Sequence, residues 1–256
     1  MNIRILGAHN RETRTAKCLS LLIDDTLAID AGGLTSSLSI PEQQKLKAIL
    51  LTHQHYDHIR DIPMIALNLY NRGTNINIYS APNVCDAIET HLFNGEVYPK
   101  FLELPEAKPT VSLNRMTPYK EKRLGGYEIL PVPVNHCEGT LGYQVSDTAG
   151  KILFYTADTG PGFIKHRNHL SPQLMFIEVT LPNRYEEFAI KSGHLTPRLL
   201  GRELIRFREL KGYLPQIAIV HMDPTLEAEI KKEVTIATET LNTSVTITRE
   251  GMQLHI

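Results

Sequence analysis

The most constraining feature of the sequence is residues 48–58, where a short apolar run leads directly into a cluster of histidines. Residues 48–51 have the character of a buried strand, and a tight loop follows them. The loop has the pattern His-x-His-x-Asp-His, formed by His53, His55, Asp57 and His58. These groups suit zinc or a similar divalent ion, because one loop can aim all four side chains at a single point. A polar turn is the alternative, but it does not account for so dense a cluster directly after an apolar strand.

Length and charge favour one domain and a small substrate. A chain of 256 residues can bury a sizeable core as one large domain or two small ones, and no Gly/Ser-rich or Pro-rich stretch divides it. We therefore expect a single domain over residues 1–256. The formal net charge is −1, and the only basic run, at residues 120–123, is short and interrupted by a glutamate. Neither feature attracts nucleic acid, so long polyanions are disfavoured as substrates.

The amino terminus and the cysteines predict a cytoplasmic protein outside the membrane. Residues 1–7 have the pattern of a first strand, without the long apolar core or small-residue cleavage site of a signal peptide. The longest apolar runs are too short to span a bilayer. Cys18, Cys85 and Cys137 are odd in number and widely spaced, which fits a reducing compartment.

Apolar patterning and turn residues predict a mixed fold with two sheets. Strands are expected at residues 2–7, 18–24, 26–30, 48–52, 76–80, 111–116, 127–134, 141–145, 151–156, 174–180 and 216–220. Helices are expected at residues 39–47, 59–71, 82–92, 197–210 and 225–239. Several strands in succession between residues 111 and 158 predict a second sheet, and residues 245–256 are expected to close the chain as a hairpin. Two similar halves predict an α/β (α+β) fold in which two packed sheets are flanked by helices.

Three further polar residues stand where predicted strands end. His136 follows the strand at 127–134, Asp158 follows the strand at 151–156, and His221 follows the strand at 216–220. Each would be weak evidence alone. Together with the 53–58 loop they complete a set of ligand-type side chains, and we interpret all of them as candidate metal ligands.

Other residues near these candidates have different expected roles. Asp30 ends the third strand beside Gly32 and Gly33, which would allow a close turn beneath the 53–58 loop and let Asp30 orient a ligand. His166 and His169 lie among charged residues and are expected to be solvated.

In this order, the residues resemble the signature of the metallo-β-lactamase superfamily. The resemblance implies the metallo-β-lactamase fold, a four-layer αββα sandwich. It also implies two divalent metal ions per chain, with Zn²⁺ favoured and Mn²⁺ or Fe²⁺ also suited to these ligands. One ion would be bound by His53, His55 and His136, the second by Asp57, His58 and His221, and Asp158 would bridge them.

Within the superfamily the chain resembles the class II cyclic-nucleotide phosphodiesterases and their bacterial relatives, in the group that also contains transfer RNA 3′-processing endonucleases. The matching features are the turn at 29–32, the 53–58 motif, Gly142-Tyr143, Asp158-Thr159-Gly160, Pro182-Asn183-Arg184, residues 192–197, and His221 with Pro224. Two features differ from the stricter phosphodiesterase pattern, which has leucine in place of Tyr56 and small residues in place of Arg60-Asp61. Neither removes a ligand, but both lie where they can reshape the pocket.

The resemblance implies a phosphodiesterase that hydrolyses a small phosphodiester. The expected reaction converts a 3′,5′-cyclic nucleotide to the nucleoside monophosphate by attack of a hydroxide that bridges the metals. Asp57, His194 and Glu178 are the expected catalytic residues, with Glu178 orienting His194 so that the pair protonates the leaving alcohol. The expected partner is a small-molecule substrate, membrane and nucleic acid are not expected partners, and a homodimer is left open.

Two alternatives remain at this point. The first is a transfer RNA 3′-processing endonuclease, whose bacterial members carry a basic, glycine-rich arm between the histidine and aspartate that match His136 and Asp158. Only 21 residues separate these two here, barely enough for two strands and a turn. The second is a metal-dependent sensor or binding protein without turnover, which the complete ligand set and the candidate proton donor disfavour.

Overall fold

The computed structural model describes residues 1–163 and 170–256, which form two seven-stranded sheets. The strands are β1 Asn2–Gly7, β2 Ser20–Ile23, β3 Leu27–Ile29, β4 Ala48–Leu50, β5 Ile76–Ser80, β6 Val111–Arg115, β7 Lys122–Leu124, β8 Tyr127–Pro133, β9 Leu141–Asp147, β10 Ile152–Tyr155, β11 Leu174–Glu178, β12 Gln216–Val220, β13 Val245–Ile247 and β14 Gln253–His255. The predicted two-sheet α+β fold is confirmed. The prediction for His166 and His169 lies outside the described residues.

Each sheet changes from antiparallel to parallel pairing across its width. The first has the order β14-β1-β2-β3-β4-β5-β6 and is antiparallel as far as β3 and parallel beyond it. The second has the order β13-β12-β11-β10-β9-β8-β7 and is parallel as far as β10 and antiparallel beyond it. Parallel neighbours end at the same edge of their sheet. The residues after β3 and β4 are therefore grouped at one edge of the first sheet, and those after β10, β11 and β12 are grouped at one edge of the second.

The predicted helices are present in the predicted order, but one is interrupted beside the metal-ligand motif, and a further helix at Glu186–Ser192 was not predicted. They are α1 Ile40–Gln43, α2 Tyr56–Ile59, α3 Ile62–Leu69, α4 Pro82–Ala87, α5 Glu186–Ser192, α6 Pro197–Lys211 and α7 Glu227–Thr238. The helix expected after His58 already begins at Tyr56, and it is split at Arg60 and Asp61 because Pro63 starts a new helix. Within residues 1–163 and 170–256, no helix combines the length and the apolar character needed to cross a bilayer.

Alternation along the strands divides the second sheet between two apolar cores. Tyr155 and Phe176 face the core that also contains the buried residues of the first sheet. Their neighbours Phe154 and Met175 pack instead in a core with residues of α6 and α7. The second sheet therefore lies between the first sheet and a helical layer, as the sandwich architecture predicts.

Two predictions about strand pairing are wrong. The strand β6, which was expected in the second sheet, pairs in parallel with β5 in the first, because the helix α4 between them makes a strand-helix-strand crossover. Residues 245–256 are not a hairpin, since β13 pairs with β12 in the second sheet and β14 pairs with β1 in the first. Glu250 holds the crossing between the sheets, because its carboxylate accepts hydrogen bonds from the backbone N–H groups of Ala8 and Lys17.

Candidate metal centre

The candidate residues are carried by strand ends. Asp30 follows β3, residues 52–58 follow β4, Asp158 follows β10, Glu178 ends β11 and His221 follows β12. At three of these ends Asp30, Ala157 and His221 have positive φ angles of 57°, 58° and 63°. Residues with a Cβ rarely adopt this left-handed conformation, and it costs about 1–3 kcal/mol at each position. Strain of this kind is concentrated at functional sites in proteins, and here it coincides with the predicted site.

The structure brings together all seven predicted ligand residues. Three groups have their ligand-type atoms within 4.8 Å of one another: His53, His55, His136 and Asp158 in the first, Asp57, His58 and His221 in the second, and Asp158, His194 and His221 in the third. Asp158 lies between the first two, with Oδ2 3.3 Å from Nε2 of His58 and Oδ1 3.4 Å from Nε2 of His221. Its Oδ2 atom is also 3.7 Å from Nε2 of His53. The seven residues therefore lie together, and Asp158 is in reach of histidines from both of the first two groups.

Two of these histidines are oriented by a buried set of Asp30, Thr52, His53 and His58, which we call the Asp30 scaffold. Nδ1 of His58 donates to Asp30 at 2.8 Å, and the Thr52 hydroxyl lies 3.0 Å from both Asp30 oxygens and 2.9 Å from Nδ1 of His53. A carboxylate only accepts, so the single hydroxyl proton of Thr52 goes to Asp30, and Nδ1 of His53 must donate to Thr52. Both histidines thus carry a proton on Nδ1 and face the cluster with Nε2.

A second set of the same design, the Glu178 scaffold, consists of Glu178, Thr180, His194 and His221. The Thr180 hydroxyl donates to Glu178 at 2.7 Å and accepts from Nδ1 of His221 at 2.9 Å. Nδ1 of His194 donates to the other Glu178 oxygen at 2.8 Å and lies 3.3 Å from the Thr180 hydroxyl. The backbone N–H groups of Thr159 and Thr180 also donate to the carboxylate, which has a partner on every side. Nε2 is therefore the ring nitrogen that His221 and His194 have left for other partners, and that of His221 lies 3.2 Å from Oδ2 of Asp57.

His136 is held in the same tautomer by a glycine carbonyl. Its Nδ1 donates to the carbonyl oxygen of Gly193 at 3.0 Å, and its Nε2 lies 3.1 Å from Nδ1 of His55. Gly193 has a φ of 73°, and a Cβ built there would lie 2.9 Å from Nδ1 of His136. Only glycine meets both conditions without strain. Gly193, the residue before His194, thus orients the predicted ligand His136. The sequence motif Ser192-Gly193-His194 did not indicate this contact.

Glycine also permits the close turn predicted beneath the metal loop. A Cβ on Gly32 would lie 2.2 Å from the carbonyl oxygen of Asp57 and 2.6 Å from Cβ of Cys18. The backbone of the 30–33 turn therefore packs directly under the 53–58 loop, which places Asp30 against His58.

Burial keeps one group of imidazoles neutral. It lowers the pKa of His53 well below its ordinary value, with a further contribution from the charge on His58. Burial likewise lowers the pKa values of His55 and His136. Nitrogen atoms 3.1 Å apart on two neutral rings are suited to share one cation, because neutral imidazole is the form that binds metals.

Nearby carboxylates raise the pKa values of two other histidines. Burial opposes a charge on His58, but Asp158 and Asp30 raise its pKa well above the ordinary value. Burial opposes a charge on His194 as well, yet Glu178 raises its pKa to about 9. Burial also disfavours the ionised form of Asp158, but the charges on His221 and His58 hold the pKa of this carboxyl well below its ordinary value. A cation that binds at His58 must therefore displace a proton, as metal binding to histidine sites generally does.

The donor set fits divalent cations. Nε2 of His53, Nε2 of His58 and Oδ1 of Asp158 are buried, and none makes a hydrogen bond to residues 1–163 or 170–256. Buried polar atoms without a partner are rare because they are costly. Imidazole nitrogen and carboxylate oxygen suit zinc, manganese and iron. The cluster is therefore a site that could hold metal.

The sequence did not identify two threonines as part of the site. Thr52 lies directly before the His-x-His motif, and Thr180 lies two residues after Glu178, but threonine is common at strand ends. Only the fold shows that each hydroxyl donates to a carboxylate and accepts from a histidine, so that the carboxylate determines which ring nitrogen carries the proton. The one local signal was the repeated proximity of a threonine to a candidate acidic or ligand residue.

Comparison with known proteins gives a family and one curated relative. Residues 22–240 match the family model described as a beta-lactamase superfamily domain. A 93-residue part of the chain is 28% identical to a 3′,5′-cyclic-nucleotide phosphodiesterase of Candida albicans. That match covers 36% of this chain and 21% of the relative, so it spans about a fifth of the relative's length.

Solved structures show the same fold at low identity. Unliganded yeast PDE1 has a TM-score of 0.81 and 17% identity, with 100% of this chain and 99% of that chain covered. The metallo-beta-lactamase fold protein YhfI from Bacillus subtilis has a TM-score of 0.74 and 18% identity, with 99% of each chain covered. The short form of human tRNase Z has a TM-score of 0.70 and 16% identity, with 100% and 99% covered. Together with the family match, these similarities confirm the predicted fold.

Proposed function

The chain belongs to the beta-lactamase superfamily, and from that membership we propose that it is a dinuclear metal-dependent phosphodiesterase. The substrate we propose is a small phosphodiester, with a 3′,5′-cyclic nucleotide hydrolysed to the nucleoside monophosphate as the favoured case. The observation that carries the proposal is the convergence of seven ligand-type side chains beside a histidine that is hydrogen-bonded to a buried glutamate.

The ligand assignment follows the first two groups in the cluster. His53, His55 and His136 would hold one ion, Asp57, His58 and His221 the other, and Asp158 would contact both. Two divalent ions would act as Lewis acids on the phosphoryl group and lower the pKa of a water molecule, and we favour zinc for this donor set. Asp57 is proposed both as a ligand and as a catalytic residue, because its Oδ2 lies 3.2 Å from Nε2 of His221 and its side chain is 28% exposed beside the cluster.

His194 is proposed as the proton donor to the leaving oxygen. Glu178 raises the pKa of His194 to about 9, which favours the protonated ring, and the Nδ1 proton is committed to Glu178. The proton on Nε2 is therefore the one available for transfer. The side chain is 16% exposed, whereas the Glu178 side chain is 0% exposed, so the donor is reachable and its anchor is not. A ribose alkoxide is a poor leaving group, so a positioned acid is useful in this reaction.

The preference for a small substrate rests on charge, segment length and the curated similarity. The net charge of −1 and the short connection between His136 and Asp158 are unlike what binding to a long RNA requires. The curated relative is named a 3′,5′-cyclic-nucleotide phosphodiesterase, which supports the same substrate class.

The test is a substrate panel with purified, metal-loaded protein. Cyclic AMP, cyclic GMP, cyclic dinucleotides and a precursor transfer RNA would be compared at equal enzyme concentration, with product identity read by chromatography. We expect hydrolysis of a cyclic mononucleotide and little cleavage of the RNA. Position-specific trimming of the RNA, with no activity on any cyclic nucleotide, would replace the proposal with the endonuclease function. Metal binding without any turnover would favour a sensor.

A further inference from the structure

Solvent reaches the metal cluster from one side. The side chains of His53, His58, His136, Asp158 and His221 are each at most 4% exposed. In contrast, the side chain of Asp57 is 28% exposed, and His55 is an exposed residue. Residues 55–57 therefore form an exposed edge of the cluster, and the residue between His55 and Asp57 lies on this edge.

That residue is Tyr56, the first residue of α2. It is 68% exposed, the largest exposed fraction among the large hydrophobic residues of the described chain. Within residues 1–163 and 170–256 neither its hydroxyl nor its ring has a hydrogen bond, aromatic or cation contact. Other exposed tyrosines are engaged: the hydroxyl of Tyr213 donates to the carbonyl oxygen of Pro172, and the guanidinium of Arg184 lies over the ring of Tyr185. A single exposed aromatic ring is ordinary, but an unengaged ring at the exposed edge of the cluster has a specific position.

We infer that Tyr56 binds the nucleobase of the substrate by stacking. This inference rests on the proposed function, because it assigns the nucleoside part of the same phosphodiester. The phosphoryl group must lie at the ligand cluster, and the base is attached on the far side of the ribose. The base therefore projects towards the exposed edge at residues 55–57, where an aromatic ring is free to cover its face.

Stacking has a defined kinetic consequence. Every base has a π face, so a stacking residue adds affinity for nucleotides with little selection among bases. The base takes no part in bond cleavage, so its contact with Tyr56 is equally strong in the ground state and the transition state. Loss of such a contact raises KM and leaves kcat nearly constant.

The test compares Tyr56→Leu, which keeps an apolar side chain but removes the ring, with Tyr56→Phe, which keeps the ring. Each is assayed with cyclic AMP and with a cyclic ribose phosphate that lacks the base. We expect Tyr56→Leu to lower the ratio of kcat/KM for the two substrates by roughly 5- to 150-fold, the equivalent of one stacked base. The change should lie in KM, and Tyr56→Phe should retain most of the wild-type ratio.

A matched control is Phe188→Leu, which removes a 61% exposed aromatic ring from α5. It should leave the ratio unchanged. The inference is overturned if Tyr56→Leu affects both substrates by the same factor, or if Tyr56→Phe loses the ratio as fully as Tyr56→Leu.

Failure of the proposed function gives a different result. If wild-type protein hydrolyses bis(nitrophenyl) phosphate but no cyclic nucleotide, the substrate proposal fails. The stacking inference is then tested by inhibition of that activity with adenosine 5′-monophosphate and with ribose 5-phosphate. A preference for the adenine nucleotide that Tyr56→Leu removes and Tyr56→Phe keeps supports stacking, and equal inhibition by both compounds in the wild type refutes it.

Discussion

The Asp30 scaffold and the Glu178 scaffold have the same design in the two sheets of the molecule. In each, a carboxylate with 0% side-chain exposure accepts from Nδ1 of one histidine and from a threonine hydroxyl. In each, that hydroxyl also accepts from Nδ1 of a second histidine, at 2.9 Å in both cases. The two scaffolds therefore set the tautomers of four histidines by the same physical rule. A carboxylate only accepts, and a hydroxyl that has donated its proton can only accept, so each Nδ1 atom must donate.

The scaffolds differ in what solvent can reach. Both histidines of the Asp30 scaffold have 0% exposed side chains, and both lie in the ligand groups. In the Glu178 scaffold His221 is 2% exposed, whereas His194 is 16% exposed and lies between α5 and α6. His194 is also within 4.8 Å of ligand-type atoms of Asp158 and His221, so distance alone does not separate a ligand from a proton donor. Access to solvent and a retained proton make that separation.

The largest effect is expected where the two ligand groups meet. Asp158→Ala removes the carboxylate that both groups contact, so it should reduce bound metal below the approximately two ions per chain expected for the wild type. Activity should fall by more than the roughly 10- to 100-fold typical of losing an outer partner of a ligand. Metal would be measured by elemental analysis and activity with a cyclic nucleotide. Full activity with one tightly bound ion per chain would contradict a two-metal site.

The next effect tests whether His58 and His194 have different roles. His194→Ala should slow hydrolysis of a cyclic nucleotide by about 10²–10⁴-fold, the usual contribution of a positioned acid. It should spare bis(nitrophenyl) phosphate, because nitrophenolate leaves without a proton. His58 bonds Asp30 as His194 bonds Glu178, but it is a proposed ligand. His58→Ala should therefore slow hydrolysis of both substrates and lower the metal content.

The control for this pair is the metal content of the His194→Ala protein, which should equal that of the wild type. Equal losses on the two substrates with unchanged metal would remove His194 from proton transfer. A loss of metal in His194→Ala would instead make His194 a metal ligand and remove the proposed difference between the scaffolds.

A smaller effect is expected when the carboxylates themselves are changed. Asp30→Asn should weaken metal binding by roughly 10- to 100-fold, because His58 loses the acceptor that fixes its ring. Glu178→Gln should keep the metal and reproduce part of the His194→Ala pattern, since the histidine remains but is less well oriented. Titration with a metal indicator and the two substrates would measure both. The reverse assignment of the two phenotypes would exchange the roles proposed for the scaffolds.

The fold and the ligand set were predictable because their signals are local. Apolar strands that end in polar residues predicted His136, Asp158 and His221 at strand ends, and the structure brings them to the 53–58 loop. The prediction of a terminal hairpin was wrong because residues 245–256 pair with both sheets, and the long-range contacts of Glu250 with Ala8 and Lys17 at the crossing have no local sequence signal.

The threonines could not be assigned from sequence because each has one partner that is distant in the chain. Thr52 bonds a carboxylate 22 residues away, and Thr180 bonds an imidazole 41 residues away. A hydroxyl can donate or accept, so its role follows only after all of its neighbours are known. Asp30 was easier, because the adjacent glycines indicated a turn beneath the metal loop.

The smallest effects should come from the threonines, and they give the finest test of the comparison. Thr52→Val and Thr180→Val each remove one hydrogen bond from a buried carboxylate and leave a histidine Nδ1–H without its partner, which should lower the free energy of unfolding by about 1–3 kcal/mol. Thr52→Ser and Thr180→Ser keep the hydroxyl and should retain most of the wild-type free energy of unfolding. The two valine variants should differ in catalysis, because the Thr180 hydroxyl also contacts His194, at 3.3 Å. Thr180→Val should therefore slow a cyclic nucleotide more than bis(nitrophenyl) phosphate, whereas Thr52→Val should slow both alike. Denaturant unfolding and the two rates measure these effects, and an equal loss on both substrates in Thr180→Val would show that its hydroxyl orients His221 alone.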